Sequence, residues 1–253
     1  MVKIAVFDSG LGSLSIIRAL QKISKSEIIY FADQKNYPYG KKSKKELKKI
    51  IKQTIKLLEK NFSPDLIVMA SNTPSLMIKI TNRKVIGVKP LIKEAMKVSK
   101  TKNIAILGTK SAIQSKSLSN YIKKFNFSKN NRIYKINSSE LVNLVESNKF
   151  ITNKLYCKRI IKKILTNVFE NKIDIATLSS THLTFLKPLL SSEFPQVRFI
   201  DPADIVANKI LAKIKNNKSK KNTIKIFTSG NVKLFEKNLK RIGIKNRVNY
   251  LST

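Results

Sequence analysis

The sequence predicts an α/β fold with mostly parallel sheets that are covered by helices on both faces. Short, continuous apolar segments alternate with longer segments in which apolar residues recur at helical spacing. Continuous apolar strands separated by helices are typical of parallel sheets buried on both sides. With 253 residues, the chain can bury a large core, either as one domain or as two compact lobes.

The alternation of strands and helices continues along the chain and indicates two halves. The predicted strands are residues 3–7, 28–32, 66–70, 85–88, 103–107, 132–136, 173–178, 197–200 and 223–227. The predicted helices are residues 12–22, 43–60, 74–80, 90–98, 111–124, 139–147, 152–169, 182–190, 202–215 and 231–242. Because KVSKTKN (97–103) separates two similar series, we expect two similar three-layer α/β lobes. The first comprises residues 1–97 and about 205–253, and the second comprises residues 98–204.

The composition predicts a soluble protein of a reducing cytoplasm. No apolar run approaches the roughly 20 residues that span a bilayer, so no membrane partner is expected. The chain enters a strand-like run directly after Met1, and we therefore expect no signal peptide. Cys157 is the single cysteine, which excludes an intrachain disulfide and a cysteine metal cluster.

The formal net charge of +36 leaves a nucleic-acid partner open but does not favour one. Lysine is abundant throughout the chain, whereas arginine, the usual base-reading residue, is scarce. The densest lysine run, residues 41–60, predicts an amphipathic helix with a solvated basic face. Residues 216–222 are predicted to be a surface linker. Neither run has the interleaved aromatic residues of a single-strand binding groove.

Two strand ends near the N-terminus suggest a ligand site. The segment AVFDSGLGSLSI (5–16) ends a strand at Asp8 and opens a helix with two glycines. Their spacing nearly matches the dinucleotide fingerprint, and Asp33 in YFADQKNYPYG (30–40) ends the second strand. The third glycine is a serine, however, and Asp8 places a negative charge where pyrophosphate would lie. The simplest alternative is a tight turn in which Asp8 caps the helix.

Two later strands end in similar hydroxyl-bearing corners, LIVMASNTPS (66–75) and IATLSSTHLT (175–184). Serine and threonine commonly cap helices, and this is the simplest interpretation of either corner alone. The corners lie 109 residues apart (180 − 71), and the second contains His182, the only histidine. In parallel sheets ligands bind beyond the carboxyl ends of the strands, so the repetition favours a site.

Together these motifs resemble the aspartate/glutamate racemase superfamily, and specifically glutamate racemase. The family contains FDSGxGG, YFxD…PYG, a strand ending in Cys-Asn-Thr, and Gly-Cys-Thr-His. This chain contains, in the same order, FDSGLGS, YFADQKNYPYG, ASNT and SSTH. LVNLVES (141–147), IDPAD (200–204) and FTSGNVKLFEKNLKRIG (227–243) resemble further family segments, so the resemblance covers nearly the whole chain.

The resemblance implies two α/β lobes related by pseudo-twofold symmetry with an active site between them. It also implies cofactor-free and metal-free racemisation of a small acidic amino acid, glutamate or aspartate. In the family, two cysteines exchange the Cα proton on opposite faces of the substrate. The implied supporting residues are Asp8 for the first cysteine, and Glu146 and His182 for the second. The implied substrate-binding residues are Ser9, Pro38, Tyr39, Gly40, Asn72, Thr73 and Thr181. A homodimer is compatible with this resemblance.

The chain departs from the family at both cysteines, which are Ser71 and Ser180 here. A thiol has a pKa near about 8.5 and a serine hydroxyl ionises several units higher, so serine needs a neighbouring base. Ser13 and Ala112 also replace a family glycine and a frequent threonine. The departures leave two alternatives open, a racemase and a weakened or inactive protein that binds acidic amino acids. The net charge alone motivates a third, a basic nucleic-acid-associated protein.

Overall fold

The computed structural model describes residues 1–125, 131–214 and 221–253. The linker predicted at 216–222 lies outside these ranges except for its last two residues. The strands are β1 (Lys3–Asp8), β2 (Glu27–Ala32), β3 (Leu66–Met69), β4 (Val85–Gly87), β5 (Asn103–Gly108), β6 (Arg132–Asn137), β7 (Ile175–Leu178), β8 (Arg198–Ile200), β9 (Thr223–Thr228) and β10 (Val248–Tyr250).

Helices connect these strands. The α-helices are α1 (Ser13–Ile23), α2 (Lys44–Phe62), α3 (Asn72–Met77), α4 (Ile92–Val98), α5 (Lys110–Gln114), α6 (Lys116–Lys123), α7 (Ser139–Glu146), α8 (Lys149–Thr152), α9 (Lys154–Phe169), α10 (Lys187–Glu193), α11 (Pro202–Leu211) and α12 (Val232–Arg241). Short 3-10 helices occupy Gln34–Asn36, Tyr39–Lys41 and Thr181–Leu186.

The chain divides into two compact units. The first unit comprises Met1–Val88 and Ala203–Thr253, and the second comprises Lys89–Pro202. The sequence placed the first boundary near residue 97, whereas the structure assigns α4 to the second unit. The reason is packing, because Ala95 of α4 is buried against Ile104 and Ile175 of that unit's sheet.

The first unit has a six-stranded sheet in the order β10-β9-β2-β1-β3-β4, with every neighbouring pair parallel. One face buries Phe7 and Phe31 beneath the apolar stripe of α2. A capping box begins α2, since Ser43 and Glu46 bond each other's backbone N–H groups. The predicted amphipathic helix is confirmed, with exposed lysines at residues 44, 48, 52, 56 and 60.

The second unit has a four-stranded parallel sheet in the order β6-β5-β7-β8. Its core packs Leu107 and Leu178 of the central strands against Leu141 and Val145 of α7 and Leu183 of the second corner. The predicted fold class, two α/β lobes with parallel sheets, is therefore confirmed. In each sheet the carboxyl ends of the strands lie at one edge, which brings the corner residues of that unit together.

Several local predictions differ from the structure. The helix predicted at 111–124 is two helices, because the Ser115 side chain caps α6 by accepting from the Leu118 N–H. The helix predicted at 182–190 begins as a 3-10 helix and continues as α10. Strand β10 and helix α8 were not predicted. In the described part of the chain, no helix combines the length and the apolar character needed to cross a bilayer.

Candidate active site

In the first unit, the ends of three neighbouring strands carry the predicted polar residues. Strand β1 lies between β2 and β3. The Asp33 N–H donates to the Asp8 carbonyl at 2.8 Å, and the Ala70 N–H donates to the Phe7 carbonyl at 2.8 Å. These bonds align the residue after each strand at the same edge. Asp8, Asp33 and Ser71 therefore belong to one cluster of strand ends.

Asp8 is almost completely buried, and its Oδ1 accepts a hydrogen bond from the Ser9 N–H at 2.7 Å. It does not cap α1, because that helix follows Gly12 without a side-chain capping bond. The Ser9 hydroxyl in turn accepts from the Tyr39 N–H at 3.4 Å. This contact brings the first strand end next to Tyr39, which the half-buried Pro38 and Gly40 flank.

Asp33 holds this loop through three side chains. Its Oδ2 accepts from the Tyr39 hydroxyl at 2.9 Å, and its Oδ1 accepts from Ser229 at 3.0 Å. The Asn36 amide donates to both oxygens. Burial raises the pKa of Tyr39 well above its ordinary value, and the negative charge of Asp33 adds to the shift. An Asp33 carboxylate engaged in this way argues against the dinucleotide alternative, in which it would bind a ribose.

Ser71 follows β3 and occupies the N-cap position of α3, but its side chain makes no capping bond. The simple capping interpretation of this serine is therefore wrong. Its carbonyl is fixed by Ser75, whose hydroxyl donates to the Ser71 oxygen at 2.6 Å and accepts from the Val88 N–H at 2.9 Å. Gly87 packs closely against Ser75, since a Cβ atom at residue 87 would lie 2.8 Å from the Ser75 Oγ.

Asn72 is the most unusual polar group of the first corner. Only 3% of it is exposed, and both of its amide atoms are buried without a hydrogen-bond partner among the described residues. A buried amide without partners costs about 1–3 kcal/mol of folding free energy. Such a cost is expected where a bound ligand supplies the partners. The neighbouring Thr73 is also buried.

Ser180 follows β7 and occupies the N-cap position of the 3-10 helix Thr181–Leu186, again without a side-chain capping bond. Its Oγ lies 3.5 Å from the His182 Nδ1. The His182 Nε2 lies 2.5 Å from the Oε1 of Glu146, the last residue of α7. The second corner thus joins a hydroxyl, an imidazole and a carboxylate in one chain.

The hydrogen bonds from Ser180 through His182 to Glu146 indicate the tautomer of His182. A carboxylate can only accept hydrogen bonds, so the Nε2 atom that faces Glu146 carries a proton. In the neutral ring, Nδ1 is then the acceptor, and it faces the Ser180 hydroxyl. The side chains of His182 and Glu146 are 8% and 18% exposed, so water competes little for these bonds. Ser180 therefore has a general base within reach.

The structure brings together the predicted residues within each unit. The first unit groups Asp8, Ser9, Pro38, Tyr39, Gly40, Ser71, Asn72 and Thr73 at its strand ends, and the second groups Glu146, Ser180, Thr181 and His182. Sequence reasoning missed the supporting residues Ser75 and Ser229. The position of Ser75 four residues after Ser71 was an available signal, because a helical serine often bonds the carbonyl one turn earlier.

Comparisons with known proteins agree with these motifs. Residues 6–210 match the family model described as Asp/Glu/Hydantoin racemase. The chain is 34% identical over 231 residues to a glutamate racemase of Buchnera aphidicola, covering 87% of this chain and 88% of that protein. It is 32% identical over 211 residues to glutamate racemase 3 of Caldanaerobacter subterraneus, covering 81% and 75%.

Solved structures give the same result for the fold. The glutamate racemase isoform RacE1 from Bacillus anthracis has a TM-score of 0.84 and 25% identity, covering 99% of this chain and 97% of that one. The Escherichia coli glutamate racemase in complex with L-glutamate and an activator has a TM-score of 0.84 and 22% identity, covering 99% and 98%. At 22% identity, the second comparison supports the fold alone.

Proposed function

The chain belongs to the Asp/Glu/hydantoin racemase family, and on this premise we propose that it interconverts the L and D forms of glutamate or aspartate without a cofactor. The observation that carries the proposal is the hydrogen-bonded chain of Ser180, His182 and Glu146. The Ser180 hydroxyl lies beside a base that can accept its proton. Glutamate is the first substrate to test, because the relatives described above are glutamate racemases.

Racemisation requires one proton-transfer group on each face of the substrate Cα. We assign Ser180 to one face and Ser71 to the other. On the first face, Ser180 passes its hydroxyl proton to the His182 Nδ1 and takes the Cα proton. Glu146 stabilises the resulting imidazolium through Nε2. On the second face, Ser71 donates a proton to Cα, and the buried Asp8 at the neighbouring strand end supports it.

The remaining polar groups are assigned to substrate binding. Asn72 provides a buried donor and a buried acceptor, which suit a carboxylate and an ammonium group. The Tyr39 N–H donates a hydrogen bond to the Ser9 hydroxyl, and this bond fixes the Pro38–Gly40 segment in place before a ligand binds. Thr73 follows Ser71 by two positions and Thr181 follows Ser180 by one, and these two threonines complete the set.

A second candidate is a protein that binds an acidic amino acid without turnover. The observation in its favour is the Ser71 hydroxyl, which makes no hydrogen bond to any residue in the described ranges. A serine without a base is a poor acid or base at neutral pH. In this case the corners would retain binding while the first face lacks proton transfer.

The deciding experiment measures solvent deuterium incorporation at Cα of D- and L-glutamate and D- and L-aspartate by mass spectrometry. Racemase function predicts incorporation with inversion, and the Ser71→Ala/Ser180→Ala variant is the matched blank. Calorimetric binding of an acidic amino acid without any exchange would favour the binding protein. The absence of both binding and exchange at millimolar concentrations of these amino acids would contradict both candidates.

A further inference from the structure

The second corner has the three components of a nucleophilic serine site. Ser180 supplies a hydroxyl, His182 supplies an imidazole whose Nδ1 lies 3.5 Å from it, and Glu146 orients the imidazole through Nε2 at 2.5 Å. A nucleophile, a base and a third group that orients the base define nucleophilic catalysis on unrelated folds. Because residue 180 is a serine, the nucleophile at this position is a hydroxyl and not a thiol.

We propose that Ser180 is a nucleophile that accepts small activated acyl groups, which gives this corner a serine-esterase activity beyond racemisation. The activity depends on the second unit alone, because all three residues lie within Lys89–Pro202. It is therefore independent of the Ser71 corner. The distance of 3.5 Å is longer than a productive bond of about 2.6–3.2 Å, as catalytic pairs often are before a substrate binds.

The reaction conserves atoms and charge in two steps. In the first, the Ser180 Oγ bonds to the ester carbonyl carbon and its proton moves to His182 Nδ1. The bond between the carbonyl carbon and the alkoxy oxygen then breaks as Nδ1 passes the proton to that oxygen, which leaves as the alcohol. In the second, water attacks the acyl-serine and Nδ1 takes its proton. Ser180 then regains that proton as the acid leaves. The sum is an ester and water giving an acid and an alcohol.

The burial of the corner limits the substrate class. Only 6% of Ser180 and 6% of His182 are exposed. A bulky acyl chain cannot approach such a hydroxyl without local rearrangement, whereas an acetyl group is among the smallest acyl groups. The site therefore takes esters of short carboxylic acids, and long-chain esters are poor substrates.

The test labels the full chain with methanesulfonyl fluoride, whose methylsulfonyl group is close in size to an acetyl group, and maps the adduct by peptide mass spectrometry. We expect one adduct on Ser180 and an unmodified Ser71 in the same sample, which serves as an internal control. His182→Gln should slow labelling by about 10²-fold and Glu146→Gln by tenfold or more, with thermal midpoints near that of the wild type. Mixing with p-nitrophenyl acetate should release a burst of one nitrophenolate per chain.

The adjacent Ser179 provides the matched variant. Its hydroxyl lies 3.0 Å from the Thr177 hydroxyl, so Ser179→Ala should leave the labelling rate within about twofold. The absence of an adduct on Ser180, an equal rate in His182→Gln, or labelling spread over many serines would overturn the proposal. Labelling of Ser180 without Cα exchange would support the esterase proposal and contradict the racemase proposal. Cα exchange without labelling would support the racemase proposal and contradict the esterase proposal.

Discussion

The two hydroxyl corners share one local scaffold but differ in their chemistry. Each follows a fully buried four-residue strand, β3 or β7, and each places a serine at an N-cap position without a capping bond. Ser180 faces an imidazole that is hydrogen-bonded to a carboxylate. At the other corner the Ser71 carbonyl is fixed by Ser75, whereas its hydroxyl has no bond within the described ranges.

This difference indicates which corner offers a serine hydroxyl a neighbouring base. A thiol ionises near neutral pH without much help, so both family positions can work with modest support. A hydroxyl works only beside a base, and only the second corner provides one through direct hydrogen bonds. On the proposed function, we therefore expect the first corner to limit racemisation.

The largest effect is expected from restoring a thiol at the weaker corner. Ser71→Cys should increase Cα deuterium exchange by about 10²-fold or more, because the thiol pKa lies several units below that of a hydroxyl. Ser180→Cys should increase exchange less, since Ser180 already has His182. The measurement is exchange of D- and L-glutamate with each single variant and the double variant. A larger gain from Ser180→Cys would reverse the proposed order of the two corners.

Removing the base of the stronger corner should have the next largest effect. His182→Gln should lower exchange about 10²-fold for the enantiomer that Ser180 deprotonates, which is within the usual range for general-base catalysis. Exchange of the other enantiomer should change little in initial rates. Comparing the two enantiomers separately provides the control. An equal loss for both would mean that His182 supports the whole site and does not act on one face.

Substitution of Asn72 is expected to weaken ligand binding and to increase the stability of the first unit. Asn72→Ala should weaken the binding of glutamate about threefold to tenfold, the value of one or two net hydrogen bonds. The same change should raise the thermal midpoint by about 2–4 °C, because it removes buried polar atoms without partners. Asn61→Ala, an exposed change in α2, should alter neither quantity. A lower midpoint for Asn72→Ala would show that its amide is satisfied in solution.

The smallest effect concerns the buried phenol of the first unit, which has no counterpart in the second corner. The pKa of Tyr39 is raised, so its contribution to stability is complete below the ordinary value of about 10 and is lost as the pH rises through the folded value. Asp33→Asn should lower the pKa of Tyr39, because it removes a neighbouring negative charge. Absorbance titration at high pH measures this shift, and Tyr39→Phe identifies the signal among the seven tyrosines.

Much of the fold followed from the sequence, since continuous apolar segments locate β1 to β9 within one or two residues at most ends. Strand β10 was missed because Val248–Tyr250 is largely exposed and forms a strand only by pairing with β9. The boundary at residue 97 was placed by a polar segment. The structure places it at Val88, because the apolar face of α4 packs on the second sheet.

Motifs predicted the residues of the candidate site, whereas the contacts among these residues depend on packing that the sequence does not reveal. The motifs located Ser180, His182 and Glu146, although Glu146 and His182 are 36 residues apart and meet only when α7 packs on the second corner. Whether Ser71 and Ser180 cap helices could not be deduced, because a cap depends on side-chain rotamers. The bond from Val88 to Ser75 required β4 to pair beside β3.

Gly87 lies in β4 at the edge of the first sheet and contacts the residue that fixes the first corner. Because a Cβ atom there would lie 2.8 Å from the Ser75 Oγ, any side chain at residue 87 displaces the hydroxyl that fixes the Ser71 carbonyl. The mutational tolerance of this edge strand is therefore limited by the position of the Ser71 carbonyl as well as by folding. A chain that had abandoned proton transfer at Ser71 would be released from that limit, so variation at residue 87 would report the loss of activity across relatives.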